Sequence, residues 1–408
     1  MTKVWHEPGK WIMNPVNFTE AVTEDFDAPK EAFVLDSTIR KMTGTPGCPY
    51  SAEGAVEICR MADAIGVKYV EVNLVHGPLP ANEKLLGMFE AIAREDFDFT
   101  LVGTAWARDK STIDDAINAG ADGVCIGVGP LTSSDISEGL EALAYARDKG
   151  MKVATGLGGR IENMFPEAIA ERVNEISDQQ LMYVGIHENT GATSPEAWRY
   201  IMQASRGLMT EEARAIPIVP HIHDMLGQAT MAACAAVTGG AGGVDVAMNG
   251  IAIHCGLAAL EEVVMCLEML YGIDTNIDLS LLNEYSRVVS EHTEIPVHPN
   301  KPIVGEHAFI CELEPFVKAV LEAREQGTER VHPFAPSLVG GRNVIAWGEN
   351  TQLGPATEVK LRQMGLPHDE ESVNRVIDAI KADLSERDGY PLYLTEEEVE
   401  ELSREILG

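Results

Sequence analysis

The sequence predicts a (β/α)₈ TIM barrel followed by a small helical C-terminal region. Three observations predict it. Eight short apolar runs alternate with longer amphipathic stretches, the mark of βαβ units and a parallel sheet. The units occupy about 250 residues, a usual size for a closed barrel of this kind. The first run leads into Asp36-Ser-Thr-Ile-Arg-Lys-Met-Thr-Gly-Thr-Pro-Gly47, not into the glycine-rich phosphate turn of a doubly wound open sheet.

Residues 1–30 lack periodicity, hold several turn-formers and read as an N-terminal arm. The barrel is expected over 31–275, with strands at 32–35, 69–72, 100–102, 123–128, 152–155, 182–186, 216–220 and 243–246. Ser51 and Ser194-Pro195 signal helix starts, and Gly66 and Gly120 signal helix stops before the next strand. The last barrel helix is expected at 257–271. Residues 276–408 follow as an extended linker (298–305) and helices at 312–325, 356–363, 371–387 and 395–406. This tail is expected to be too small to hold a core of its own and to pack on or near the barrel mouth. The chain stops soon after these helices, so no regulatory module is expected.

The composition excludes several classes of function. With 45% hydrophobic residues, 408 residues can bury a large core. No run of 18 or more apolar residues appears, so no membrane span is expected, and the first ten residues do not read as a secretory signal. Seven cysteines without a CxxC pair argue against a disulfide framework and for a reducing cytoplasm. A net charge of −33 repels nucleic acid and anionic lipid. The acidic excess is spread along the chain, which fits either adaptation to a saline cytoplasm or an ordinary acidic protein.

Chemistry in such a barrel sits at the C-terminal ends of the strands. There the first strand carries Asp36, Arg40 and Lys41, the second Glu71 and Asn73, and the seventh His221-Ile-His223. Residues two apart on a strand face one way, so the two imidazoles converge, either on a ligand or on each other in a hydrogen-bonded pair. Arg40 and Glu71 can form a barrel-mouth salt bridge. Cys255 reads as a reactive thiol or, more simply, a packed cysteine.

These motifs resemble the HMGL-like family of barrels, which make or break carbon–carbon bonds in acyl-CoA and 2-oxo-acid chemistry. The segment 36–47 stands in register with that family's opening Asp-x-Thr-Leu-Arg-Asp-Gly-Glu-Gln-Thr-Pro-Gly. Gly66-Val-Lys-Tyr-Val-Glu71, His221-Ile-His-Asp-Met-Leu-Gly227, Gly240-Ala-Gly-Gly-Val-Asp245 and Leu260-Glu-Glu-Val263 match further along. Pro299-Asn-Lys-Pro-Ile-Val-Gly-Glu306 and Ser337-Leu-Val-Gly340 are similar to the linker and tail of the isopropylmalate, homocitrate and citramalate synthases, which HMG-CoA lyases usually lack.

The resemblance implies a second role for Arg40 and Glu71, flanking a substrate carbonyl where the arginine polarises an enolate oxygen. It also implies a divalent metal held by an aspartate, two histidines and an asparagine. The aspartate position is Lys41 here and the asparagine position is Leu257. A charged lysine about 4 Å from a divalent ion, at an effective dielectric constant of about 20, opposes it by about 8 kcal/mol. Three ways out are ranked in order. A metal-free site uses the Lys41 nitrogen as its cation, by hydrogen bond or as a Schiff base. A migrated site adds His254 to His221 and His223. A carboxylated Lys41 supplies the missing oxygen. If a metal is present, His221 and His223 hold it.

Two further segments that line the substrate site in the family differ here, Glu188-Asn189-Thr190-Gly191 and Gly156-Leu-Gly-Gly-Arg160-Ile-Glu162, which implies a different substrate or reaction. The expected catalytic residues are Arg40, Lys41, Glu71, His221 and His223. Asp36, Asn73, Arg160, Asn189, Thr190 and His254 are expected to bind substrate. The expected enzyme acts through an enolate on a small carboxylate, with acyl-CoA as a candidate co-substrate, and is a cytoplasmic homodimer. The competing reading is a repurposed barrel that binds a metabolite or partner protein.

Overall fold

The computed structural model describes residues 5–74, 82–349 and 354–408. The chain forms two compact units. One is Pro15–Val297; the other joins the N-terminal segment, up to Asn14, to His298–Gly408. The expected arm is thus divided between them, and the barrel unit runs past residue 275.

The barrel strands are β1 (Phe33–Asp36), β2 (Tyr69–Val72), β3 (Thr100–Ala105), β4 (Gly123–Ile126), β5 (Lys152–Gly158), β6 (Leu181–Glu188), β7 (Ile218–Ile222) and β8 (Gly243–Val246). Each pairs in parallel with the next, and β8 pairs with β1, so the eight close into a barrel. Strands β3, β5 and β6 run two or three residues beyond the apolar runs. Thr104, Gly156 and Gly158 look like turn residues in sequence, yet the neighbouring strands hold them in the ladder.

Inward-facing Leu35, Tyr69, Val102, Ala154, Tyr183 and Val219 fill the barrel. The Tyr69 ring meets Phe33 and Tyr183 with centroids 5.3 Å apart in each case. This apolar layer is the floor on which the polar strand ends stand.

The helix signals act as expected. Ser51 accepts from the Gly54 N–H at 3.0 Å to cap Ala52–Ala64, and Ser194 caps Pro195–Leu208. Gly66 and Gly120 end helices at φ +87° and +93°, which a side chain would resist. The last barrel helix starts later than expected, as Leu260–Cys266, and widens into a π-type turn at Leu267–Tyr271. The helix Leu282–Thr293 then packs back on the barrel unit, burying Leu282, Tyr285 and Val289.

The second unit contains helices Glu314–Glu325, Gly354–Gln363, Glu370–Glu386 and Glu396–Leu407, near the expected positions. Contrary to expectation, it has a core of its own. Trp347, Val320, Leu321, Leu361, Val376 and Ile380 are fully buried together. Short strands such as Ile310–Cys311 and Val344–Ile345 supply part of it, and helical periodicity does not reveal them. Among the described residues no helix is long and apolar enough to cross a membrane.

Candidate active site

Strand register builds the site. His187 on β6 pairs with His221 on β7, and His221 pairs with Asp245 on β8, so the three stand at one level of the barrel. Two residues above Tyr69 on β2 comes Glu71, facing the same way. The short helix Thr38–Met42 after β1 brings in Arg40 and Lys41. A hollow of about 410 Å³ lies over them, lined by Arg40, Lys41, Glu71, Asn73, Cys125 and His187 among others. Glycine makes room for one of these: a Cβ on Gly156 or Gly185 would stand 2.9 Å from His187 Nε2.

Arg40 forms a part-buried ion pair with Glu71, and its guanidinium is 3.8 Å from Asp245. Burial would lower the arginine's pKa, but Glu71 and Asp245 outweigh it and raise it. Among the described residues Lys41 makes no such ion pair. Its Nζ donates to His221 Nε2 at 2.9 Å. Burial first, then the Arg40 charge, push its pKa down to about 7, against the pull of Asp245 and Glu71. The histidines are held neutral. Burial, then the lysine charge, push His221 well below its ordinary value and His223 down to about 4. Burial and His221 do the same to His187.

Hydrogen-bond partners assign the tautomers. His221 Nδ1–H donates to Asp245 Oδ2 at 2.6 Å, and His223 Nδ1–H donates to the Ile253 carbonyl at 3.0 Å. With Nδ1 the donor in each ring, both Nε2 atoms present lone pairs, 3.3 Å apart. Two lone pairs at that distance call for a positive charge beside them, and Lys41 Nζ is there.

The implied divalent ion fits these residues poorly. The His221 and His223 rings meet at 63° and converge, but they offer only two neutral donors, and the lysine occupies the approach. Leu257, at the expected fourth ligand, is buried and apolar. Among the described residues His187, His221 and Asp245 also stand close enough to share an ion. Their arrangement is that of a hydrogen bond and a stack: the two rings lie 4.5 Å apart within 20° of parallel. Imidazole lone pairs lie in the ring plane, so stacked rings do not aim at one point.

The expected substrate residues divide. Asn73 lines the hollow and donates to the Arg40 carbonyl at 3.0 Å and the Thr43 hydroxyl at 3.2 Å, bracing the helix that carries Arg40 and Lys41. His254 is exposed, with its ring 5.6 Å from that of His223. Asp36 is buried outside the hollow. Its carboxylate takes the Thr38 N–H at 2.8 Å, the Thr38 hydroxyl at 2.5 Å and the Tyr285 hydroxyl. Burial raises its pKa despite those bonds. Asp36 therefore ties β1 to the helix Leu282–Thr293. Asn189 and Thr190 are exposed, and Thr190 is turned back to bond Glu188. Arg160 is 81% exposed and paired with Glu162 at 2.5 Å. Asp36, Asn189, Thr190 and Arg160 are not among the residues that line the hollow, and Cys255 is exposed rather than packed.

Sequence reasoning missed His187, Asp245 and Cys125. A charged residue inside the apolar run 243–246 was the available signal for Asp245, since a buried carboxylate needs a partner. His187 directly follows the run 182–186, and its place beside His221 depends on strand register.

The family model that matches residues 32–289 is HMGL-like. The chain is 32% identical over 401 residues to a homocitrate synthase, AksA, of Methanopyrus kandleri, covering 95% of each chain. It is 29% identical to a 2-isopropylmalate synthase of Methanocaldococcus jannaschii, covering 94% of this chain and 73% of that one. A Bacillus subtilis HMG-CoA lyase structure shares the fold, with TM-score 0.57 and 18% identity, over 68% of this chain and 98% of the lyase. The chain belongs to the HMGL-like family of barrel enzymes that make or break carbon–carbon bonds.

Proposed function

We propose that this enzyme forms or breaks a carbon–carbon bond through an enolate beside a carbonyl, with the Lys41 nitrogen supplying the positive charge that a divalent ion supplies in its relatives. The observation that carries this reading is the hydrogen bond from Lys41 Nζ to His221 Nε2, at the point where two imidazole lone pairs converge. When bound, a metal would polarise the carbonyl; every step here is assigned to side chains. Arg40 and Lys41 face the developing oxyanion with charge-assisted donors already in place, in a part-buried hollow where such bonds are strong. Glu71 orients the guanidinium. His221 and His223, backed by Asp245 and the Ile253 carbonyl, hold the lysine nitrogen in position.

The substrate we infer is a small carboxylate of the 2-oxo-acid type. The 410 Å³ hollow suits its size. A second hollow of about 620 Å³ shares Trp106 and Gly127 with the first, and supports an acyl-CoA co-substrate by offering space for a longer arm. We further infer a cytoplasmic homodimer, on the free cysteines and the synthase-like layout. The test is hydrogen–deuterium exchange at the carbon next to the carbonyl of pyruvate and 2-oxoglutarate, followed by NMR with and without a chelator. Enzyme-dependent exchange that survives chelation supports the reading; exchange that needs a divalent ion refutes it.

A further inference from the structure

We propose that Lys41 acts covalently, forming an imine with the ketone carbon of a 2-oxo acid. This rests on the reading above, that the Lys41 nitrogen is the cation of the site. The carrying observation is a continuous chain, Asp245 Oδ2 to His221 Nδ1 at 2.6 Å and His221 Nε2 to Lys41 Nζ at 2.9 Å. It is the arrangement of an activated nucleophile: a base within hydrogen-bond reach of the attacking atom, oriented in turn by a third group. His221 has its lone pair on the lysine side because Asp245 holds the Nδ1 proton. Both are 1–2% exposed, so the base is shielded from water. Lys41 lines the 410 Å³ hollow, so a ketone can reach its nitrogen.

The chemistry balances without a further reactant. The lysine ammonium lends one proton to His221 Nε2. The freed nitrogen pair attacks the ketone carbon, and the carbonyl π pair moves to oxygen. A second nitrogen proton passes to that oxygen, the proton lent to His221 follows it, and water leaves. The product is an iminium that keeps one hydrogen on nitrogen and the single positive charge of the starting ammonium. That charge is conjugated with the adjacent carbon, so loss of a proton or of a carbon substituent there leaves a neutral enamine. An ammonium that only donates a hydrogen bond stabilises the oxyanion from outside; an iminium draws the electron pair in.

Asp245 is the positioning residue. Asp245→Asn keeps the shape but can donate to Nδ1, which turns the lone pair of His221 away from the lysine. Imine formation in this variant slows by about tenfold or more.

The experiment treats the purified full-length protein with pyruvate or 2-oxoglutarate, then with sodium borohydride, which reduces an imine to a stable secondary amine. Mass spectrometry of the digested protein reads the position. The expected result is one reduced adduct on Lys41, absent from Lys41→Arg and slower to form in Asp245→Asn. Circular dichroism confirms that both variants are folded. Absence of an adduct on Lys41 with both acids, in a protein that exchanges the protons of either, overturns the imine and leaves the hydrogen-bonding ammonium standing. Adducts at equal yield in Lys41→Arg also overturn it. Loss of proton exchange on chelation removes the imine and the lysine-as-cation reading together.

Discussion

The two cations at the barrel mouth are one residue apart and live differently. Arg40 sits between Glu71 and Asp245, and its charge is matched before any substrate arrives. Lys41 faces a neutral imidazole and is pushed down to about 7 by burial and by Arg40. The difference separates holding from reacting. A compensated buried pair loses stability when one partner is removed, whereas an uncompensated cation is open to an anion or a carbonyl.

The largest effect expected follows from that contrast. Lys41→Ala should lower kcat by about a thousandfold, the scale of a lost oxyanion donor, while the urea midpoint stays close to wild type. Equal loss of activity and stability would place Lys41 on the holding side with Arg40. Glu71→Ala should do the reverse in stability, costing about 3 kcal/mol in urea unfolding because it leaves Arg40 with the more distant Asp245 alone. An unchanged midpoint would show that the pair carries no structural role.

How much of this was legible in the sequence depends on range. The barrel was, because each strand is buried on both faces and reads as an apolar run. Arg40, Lys41, Glu71, His221 and His223 were also legible, since each stands at or just past the end of such a run. His187 was not, because it reaches the site through the β6–β7 register. Arg160, Asn189 and Thr190 occupy positions that line the site in the family, yet a local partner captures two of them: Glu162 takes Arg160 and Glu188 takes Thr190. The core of the second unit was hidden because residues between its helices, Trp347 and Ile345, build part of it.

A change of pH separates the two cations further. Oxalate, an unreactive mimic of an enolate, should bind through the ammonium form of Lys41. That form is the acid, present below about 7 and lost above it. Oxalate Kd by calorimetry should therefore climb as pH rises through that value, approaching about tenfold per pH unit. Lys41→Arg, whose charge persists, should give a flat profile. A wild-type Kd that is also flat would mean that Lys41 is not the cation oxalate meets. The smallest effect belongs to a residue that does not line the hollow: Arg160→Ala should change kcat/KM by less than about twofold, as expected of an exposed arginine paired with Glu162. A larger loss would return Arg160 to the substrate.

The metal content of active enzyme tests directly whether Lys41 stands in for the ion. Purified protein should be assayed by elemental mass spectrometry before and after exhaustive chelation, with activity followed on the same samples. Divalent metal should lie well below one ion per chain, and chelation should leave activity unchanged. A stoichiometric divalent ion whose removal abolishes activity, and whose return restores it, would contradict that role for Lys41.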